Sequence, residues 1–148
     1  AEIVFLLALG TAVALVALPF TGRAGDNAPG ETDALAAEPY SAARLAELRG
    51  QGRAVFVNLT AAWCVSCLYN ERVALSAPAV AEAFKSTGTV YVVGDWTNQN
   101  PEISALLKQH GREGVPLYLY FPAGGGEPKV LPQILTESLV LETLGDAR

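Results

Sequence analysis

The sequence is poor in the residues that bind metals or build disulfide frameworks. Its 148 residues include two cysteines, Cys64 and Cys67, and one histidine, His110. A structural zinc site needs about four nitrogen or sulfur ligands, and His110 lies far from the cysteines in a different predicted element. A zinc site would therefore need a second chain, and two cysteines cannot build a multi-disulfide scaffold. We expect no metal ion and no cofactor.

Positive charge is scarce and scattered. Ten Lys and Arg residues against fifteen Asp and Glu residues give a formal net charge of −5. Nucleic-acid binding needs a basic patch that displaces counterions from phosphates, so we expect no nucleic-acid partner. The sequence also has no methionine and begins Ala1-Glu2, which indicates a fragment of a longer chain.

Charged residues are absent from residues 3–20. This apolar run approaches the ~20 residues that a helix needs to cross a bilayer, so we predict that residues 1–22 are the end of a transmembrane helix. A signal or anchor sequence and a buried helix of a soluble protein are the alternatives. Residues 23–40 are rich in Gly, Ala, Pro and acidic residues, as in flexible linkers. Their scarcity of positive charge favours the non-cytoplasmic side of a membrane.

Residues 41–148 alternate between predicted strands and helices. Short apolar runs predict buried strands, whereas capping residues, prolines and glycines mark the helix ends. Strand–helix alternation implies parallel pairing through right-handed crossovers, and a closing hairpin adds antiparallel strands. We therefore predict an α/β domain with a central mixed β-sheet flanked by helices. The predicted strands are 54–60, 89–94, 115–121 and 129–132, and the predicted helices are 42–49, about 65–75, 79–85, 101–110 and 136–144.

The two cysteines belong to the stretch Trp63-Cys64-Val65-Ser66-Cys67, between a predicted strand and a predicted helix. The start of a helix has unpaired N–H groups and partial positive charge, which stabilise a thiolate and lower the pKa of Cys64. Cys67 follows one turn later, close enough to form a disulfide with Cys64. The motif therefore indicates a dithiol that holds or releases two electrons. Part of a zinc site and a purely structural disulfide are the alternatives, although so short a loop removes little chain entropy.

Two segments carry a family resemblance. They are residues 57–67 and Gly114-Val115-Pro116-Leu117. Through them the sequence resembles the thioredoxin fold, and the resemblance spans about residues 41–144. More narrowly, the sequence resembles the C-terminal periplasmic domain of the DsbD/ScsB thiol:disulfide interchange proteins. The Cys-Val-Ser-Cys motif, the pair Asn70-Glu71 and residues 94–98 carry this narrower resemblance. A preceding transmembrane helix agrees with it, because in that family the domain follows a membrane-embedded electron-transfer domain.

The resemblance implies roles for residues around the cysteine pair. Cys64 is the exposed nucleophile, and Cys67 is the more buried cysteine that resolves the mixed disulfide. Pro116 is cis and faces the pair, and the backbone of Val115 pairs with the substrate as an added strand. Trp63 shields the sulfurs and borders the docking surface, with simple core packing as the alternative.

One position departs from the family pattern. Thioredoxins place a buried aspartate where this chain has Asn58, and that carboxylate handles the proton of the second cysteine. Asn58 cannot titrate. Glu71, one turn beyond Cys67, matches an acidic residue near the family's site. It is either a replacement general base or a solvated helix residue.

The other aromatic residues and the histidine have simpler expectations. Trp96 and Tyr69 are further candidates for the docking surface. The aromatic residues of the strand 115–121 are expected to pack in the core or at a sheet edge, and His110 to lie favourably at a helix C-terminus. These aromatic residues are Tyr118, Tyr120 and Phe121.

The resemblance implies a thiol-disulfide oxidoreductase. Electrons would pass from a membrane-embedded domain of the same protein to Cys64 and Cys67, and then to disulfides of periplasmic partner proteins. This places the protein in the bacterial inner membrane, with its thioredoxin-like domain in the periplasm. The alternatives are a thiol oxidase or isomerase of the same fold, and a non-catalytic module that binds a partner protein or copper.

Overall fold

The structure, a computed structural model, describes residues 35–145. The predicted transmembrane segment and most of the predicted linker lie outside this range. Within residues 35–145, no helix combines the length and the apolar character needed to cross a membrane.

Five strands and five α-helices make up the described domain. The strands are β1 (Ala37–Pro39), β2 (Val55–Thr60), β3 (Val90–Asp95), β4 (Leu117–Phe121) and β5 (Lys129–Val130). The helices are α1 (Ala42–Gly50), α2 (Val65–Asn70), α3 (Pro78–Thr87), α4 (Pro101–Gln109) and α5 (Glu137–Gly145). A π-helix, Glu71–Leu75, follows α2 directly.

The strands form one mixed sheet in the order β1-β3-β2-β4-β5. The first three strands of this order are parallel, β4 is antiparallel to β2, and β5 is antiparallel to β4. The predicted parallel pairing and the closing antiparallel hairpin are therefore confirmed.

Alternate side chains of β2 point to opposite faces of the sheet. Val55, Val57 and Leu59 pack in one core with residues of α1 and α4. Phe56 packs in the other core with residues of α3 and α5. Both faces of β2 are thus covered by helices, which explains its nearly continuous apolar sequence.

Several local predictions are confirmed. Asn100 caps α4, with Pro101 at its first position, and His110 is the C-cap residue of the same helix. The aromatic residues of β4 are buried: Tyr118, Tyr120 and Phe121.

The structure differs from the predicted elements at the start of the domain. β1 lies within residues 23–40, which the sequence favours as a linker. It pairs with β3 at the sheet edge through its backbone. Three residues that include a proline show no apolar alternation, so periodicity could not reveal this strand.

The predicted helix through Leu75 is also modified. Its α-helical part ends at Asn70 and continues as the π-helix. Ser76 ends the π-helix with two hydrogen bonds to the Glu71 carbonyl, one from its N–H at 2.8 Å and one from its hydroxyl at 2.5 Å. The extra residue in this turn shifts every following side chain relative to a regular α-helix.

The two ends of the sheet differ in what they carry. The carboxyl end of β2 leads into the cysteine motif and lies next to the start of β4. The opposite pole carries the exposed loop 123–127. There the Gly124 N–H donates to the Gly52 carbonyl at 3.0 Å, and Arg49 donates to the Gly126 carbonyl at 3.0 Å.

Candidate active site

The sulfur pair lies at the N-terminus of α2. Cys64 is the N-cap residue, and its Sγ accepts a hydrogen bond of 3.2 Å from the Cys67 N–H. The two cysteines form a disulfide with Cα atoms 5.2 Å apart. Cys64 is only 5% exposed, so it is more buried than the exposed nucleophile that the family resemblance implied; Cys67 is fully buried. Because the cap N–H and the helix dipole both favour negative charge here, this is where the reduced form would stabilise a thiolate.

The loop before β4 brings Val115 against the disulfide. The Val115–Pro116 peptide bond is cis, as the family resemblance implied. Val115 packs on the cluster of Ala61, Cys64 and Cys67. Its backbone N–H and C=O make no hydrogen bond within residues 35–145. These two groups are therefore available to an extended segment of another chain.

A shallow groove of about 780 Å³ opens beside the disulfide. None of its lining residues carries a charge, although the whole chain is acidic. Most of its apolar lining residues are at least half exposed. Exposed apolar side chains grouped around a disulfide are typical of a protein-binding surface. The lining residues are Trp63, Cys64, Val65, Ser66, Tyr69, Val115 and Ile134.

Trp63 is held at the edge of this groove by the loop after β3. Its indole Nε1–H donates to the Thr97 carbonyl at 3.1 Å, and the Ala62 N–H donates to Thr97 Oγ1 at 2.9 Å. The Thr97 hydroxyl and N–H both donate to Asp95, which lowers the pKa of the Asp95 carboxyl. Trp63 is 55% exposed, so its ring borders the groove rather than filling the core.

The buried residue Asn58 offers no proton to the site. Its side chain is 1% exposed, and its Nδ2 donates to the Tyr91 hydroxyl at 2.9 Å. Its Oδ1 has no hydrogen-bond partner in the described part of the chain. Burial raises the pKa of Tyr91 to about 12, so the phenol stays protonated at neutral pH. Neither side chain therefore exchanges a proton near neutral pH.

Glu71 begins the π-helix one turn beyond Cys67. Its half-buried carboxylate accepts a hydrogen bond of 3.3 Å from Thr60 Oγ1 at the carboxyl end of β2. Burial, and secondarily the charge of Glu71, raise the pKa of both Tyr91 and Tyr118 to about 12. The carboxylate thus lies near the buried phenols, and no hydrogen bond joins it to either sulfur among the described residues.

The two other aromatic candidates occupy different positions. Tyr69 lines the groove. Trp96 is not a lining residue of the groove but packs on Trp63, with the two ring centroids 6.0 Å apart. Its Nε1–H donates to Ser104 Oγ at 2.8 Å. Among residues 35–145, no group of three or more His, Cys, Asp or Glu side chains is placed to hold a metal ion.

Sequence reasoning missed Ile134. This residue lies between β5 and α5, far along the chain from the cysteine motif, and lines the groove. Its one signal was its apolar character beside Leu135, and the nearby Leu131 and Leu135 are buried in the core. An apolar residue among core residues is typical of packing, so the sequence carried no separate signal for a groove wall.

The chain matches known proteins along this same domain. A thioredoxin-like family model matches residues 36–123, more than half of the chain. The thiol:disulfide interchange protein DsbD of Klebsiella pneumoniae is 41% identical over 79 residues, which cover 53% of this chain and 13% of that protein. DsbD 1 of Pseudomonas aeruginosa is 34% identical over 99 residues, which cover 67% of this chain and 16% of that protein. The chain thus spans less than a fifth of the length of these curated relatives.

A solved structure agrees with these matches. The C-terminal domain of Neisseria meningitidis DsbD in its oxidised form superposes with a TM-score of 0.61 at 25% identity. The match covers 76% of this chain and all of that domain. The chain therefore belongs to the thioredoxin-like family, and the part that the structure describes is a thioredoxin-like domain of the DsbD type.

Proposed function

We propose that this domain is a thiol-disulfide oxidoreductase that reduces disulfides of periplasmic partner proteins. The observation that carries the proposal is a disulfide at the start of α2 that opens on an uncharged groove beside Val115. The relatives are named thiol:disulfide interchange proteins, which supports this chemistry. By the same likeness, electrons come from a membrane-embedded domain of the same protein in a bacterial inner membrane, and the described domain lies in the periplasm.

In the first step, the Cys64 thiolate attacks a disulfide of the partner. A new S–S bond forms between Cys64 and one partner sulfur, and the other partner sulfur leaves as a thiolate with the electron pair. The N–H of Cys67 and the dipole of α2 stabilise the Cys64 thiolate before attack. The backbone of Val115 pairs with the partner segment and fixes its orientation.

In the second step, Cys67 resolves the mixed disulfide. It loses its proton, attacks the Cys64 Sγ and releases the second partner sulfur as a thiolate, so that two electrons have moved to the partner. Because Asn58 cannot accept the proton of Cys67, this role falls to Glu71. With no direct hydrogen bond between the two groups, a bridging water carries the proton. The dithiol is then regenerated by exchange with the membrane-embedded domain.

A Cys67→Ala variant of the full chain tests the first step, because it removes the resolving thiol and leaves Cys64 intact. We expect it to accumulate mixed disulfides with periplasmic proteins, visible on non-reducing gels of host cells. A Cys64→Ala/Cys67→Ala double variant is the matched control and should capture nothing. Absence of any adduct on the single variant would contradict the proposal.

The direction of electron flow is tested by equilibrating the Cys64–Cys67 pair with glutathione buffers. A reductase should hold its electrons at a potential closer to the about −270 mV of thioredoxin than to the about −120 mV of strong oxidants. A value at the oxidising end would replace the reductase with a thiol oxidase of the same fold.

A further inference from the structure

Asn70 is a fully buried amide at the last residue of α2, on the same helix as Cys67. Its Nδ2 donates to the Tyr118 hydroxyl at 2.9 Å and to the Gln133 carbonyl at 2.7 Å. Its Oδ1 accepts a hydrogen bond of 2.9 Å from the Leu135 N–H. A single side chain therefore ties the active-site helix to β4 and to the segment before α5.

Two of these three hydrogen bonds lie on either side of Ile134. The amide bonds the carbonyl of the preceding residue and the N–H of the following one, as a neighbouring strand would. Leu135 is buried, whereas Ile134 is 54% exposed and forms a wall of the groove beside Cys64. The backbone at residue 134 is therefore fixed relative to the helix that carries the sulfurs.

We propose that Asn70 is a positioning residue for partner selection: it holds Ile134 at the distance from Cys64 at which the groove accepts an extended segment with apolar side chains around its disulfide. This inference rests on the proposed function. The lining of the groove supports the apolar partner, because it offers aromatic and aliphatic surface and no charge.

The chemistry of the amide explains why the residue is asparagine. The site needs a donor for the Gln133 carbonyl and an acceptor for the Leu135 N–H from one short side chain. Aspartate has the same size and keeps the acceptor, but it places a second oxygen against the Gln133 carbonyl and leaves that carbonyl without a donor. An Asn70→Asp substitution should therefore displace the segment around Ile134 while preserving the volume of the buried side chain.

The test uses the reduced full chain and three disulfides. Two are peptides whose single cysteine is joined to thionitrobenzoate, one with Val and Leu around the cysteine and one with Gly and Ser. The third is dithionitrobenzoate. The Cys64 thiolate attacks the peptide sulfur, and thionitrobenzoate leaves with the electron pair and is read by its absorbance; Cys67 then displaces the peptide thiol.

The unsubstituted protein should react faster with the apolar peptide than with the Gly/Ser peptide. An Ile134→Ala variant should lose about five-fold of this preference, the contribution of half an aliphatic side chain. Asn70→Asp should lose a similar factor, and the double variant should lose no more than either single one, because both changes remove the same wall. Dithionitrobenzoate carries no peptide around its disulfide, so its rate with each variant is the reference against which the two peptide rates are compared.

Two control variants isolate the effect. Tyr118→Phe removes one hydrogen bond of Asn70 and leaves the two around Ile134, so it should keep the preference. Val130→Ala shortens an aliphatic side chain that is 46% exposed and outside the groove lining, and it should also keep the preference.

Retention of the full preference by Asn70→Asp, with its loss in Ile134→Ala, overturns the proposal. Equal slowing with all three disulfides also overturns it, because that result describes a general loss of structure. Reaction of the unsubstituted protein without any preference overturns this inference alone, whereas no reaction with any disulfide overturns the proposed function as well. If Asn70→Asp does not fold, hydrogen exchange at the Leu135 amide of the unsubstituted protein decides. Slow exchange supports the hydrogen bond from this amide to Asn70, and unprotected exchange overturns the proposal.

Discussion

Hydrogen bonds to two residues, Thr97 and Asn70, fix the two walls of the groove beside Cys64. Thr97 holds Ala62 and Trp63 on one side. Asn70 holds the segment around Ile134 on the other side. Cys64 is itself only 5% exposed, so a partner must contact these walls before the sulfurs can exchange. Substitutions in the walls should therefore change partner docking more than the reactivity of the thiol.

The proton of Cys67 is assigned to Glu71, and a Glu71→Gln variant tests that assignment. It should slow release of the partner from the mixed disulfide by roughly 10²-fold, the low end of general-base effects, and leave the first attack by Cys64 unchanged. Single-turnover kinetics with rapid quenching separate the two steps. Glu82→Gln, an exposed carboxylate on α3, is the control and should behave as the unsubstituted protein. Equal slowing of both steps would contradict a role in resolution.

Asp95→Asn should lower stability at neutral pH and have no effect in acid. The Thr97 hydroxyl and N–H lower the pKa of the Asp95 carboxyl below its ordinary value of 3.8. Between the pKa of Asp95 in the folded protein and its higher pKa in the unfolded chain, the unfolded chain therefore binds more protons. The stabilisation is complete above the unfolded pKa and is lost as the pH falls through the folded pKa.

Thermal unfolding of both proteins across the pH range measures this effect. The Tm values of Asp95→Asn and of the unsubstituted protein should differ at about pH 6 and converge at about pH 2. Glu113→Gln changes an exposed carboxylate that makes no hydrogen bond within residues 35–145, and its Tm should not change with this pattern. A constant Tm difference at every pH would show that the hydrogen bonds do not depend on the ionised carboxylate.

At the scale of the element, helix ends were predictable and the sheet edge was not. The N-cap of α4 follows from Asn100 and Pro101 themselves, because caps are local interactions. β1 forms because three of its residues pair through their backbones with β3, which lies more than fifty residues later in the sequence. The π-helix likewise depends on how the backbone continues from the end of α2. The hydrophobic periodicity of residues 71–75 therefore could not predict it.

Gly94 in β3 should tolerate no side chain. A Cβ at this position would lie 2.6 Å from Leu59 Cδ2, 3.2 Å from Ile103 Cδ1 and 3.3 Å from Tyr40 Cβ. We expect Gly94→Ala to lower the free energy of unfolding by about 1–3 kcal/mol, the usual effect of overpacking a core. Gly50→Ala is the matched control, because a Cβ there meets nothing within 4 Å. Urea denaturation of the two variants measures the difference, and equal stability would show that the Leu59 side chain moves aside freely.

At the scale of the whole molecule, the two cores and the redox site were largely predictable. The order of the elements after β1, the cysteine motif and the proline before β4 can each be recognised in a short contiguous stretch of sequence. The groove was not, because Ile134 joins it only after β5 and the following segment fold back over α2. Asn58 was identified as a departure from the family pattern and Glu71 as a match to it, and the geometry adds that Glu71 accepts a hydrogen bond from Thr60 rather than bonding a sulfur.

The extent of the folded domain can be tested by truncation. A chain that begins at Leu35 keeps β1 and is the reference. A chain that begins at Ser41 loses β1, the 2.9 Å bond from the Tyr40 N–H to the Val93 carbonyl, and the ion pair between Glu38 and Arg44. Its Tm should fall by at least about 4 °C, the shift from ~1 kcal/mol in a domain of this size. Equal Tm values for the two truncated chains would assign β1 no part in stability.

The exposed loop 123–127 lies at the pole of the sheet opposite the cysteines. Two hydrogen bonds join this loop to the rest of the domain: the Gly124 N–H donates to the Gly52 carbonyl, and Arg49 donates to the Gly126 carbonyl. No residue of the loop lines the groove. A fluorophore or an affinity tag inserted into this loop would therefore label the domain without altering the groove or the cysteine pair. Immobilised through that point, the domain would present its sulfur-bearing face outward, in one uniform orientation, to anything that flows past it.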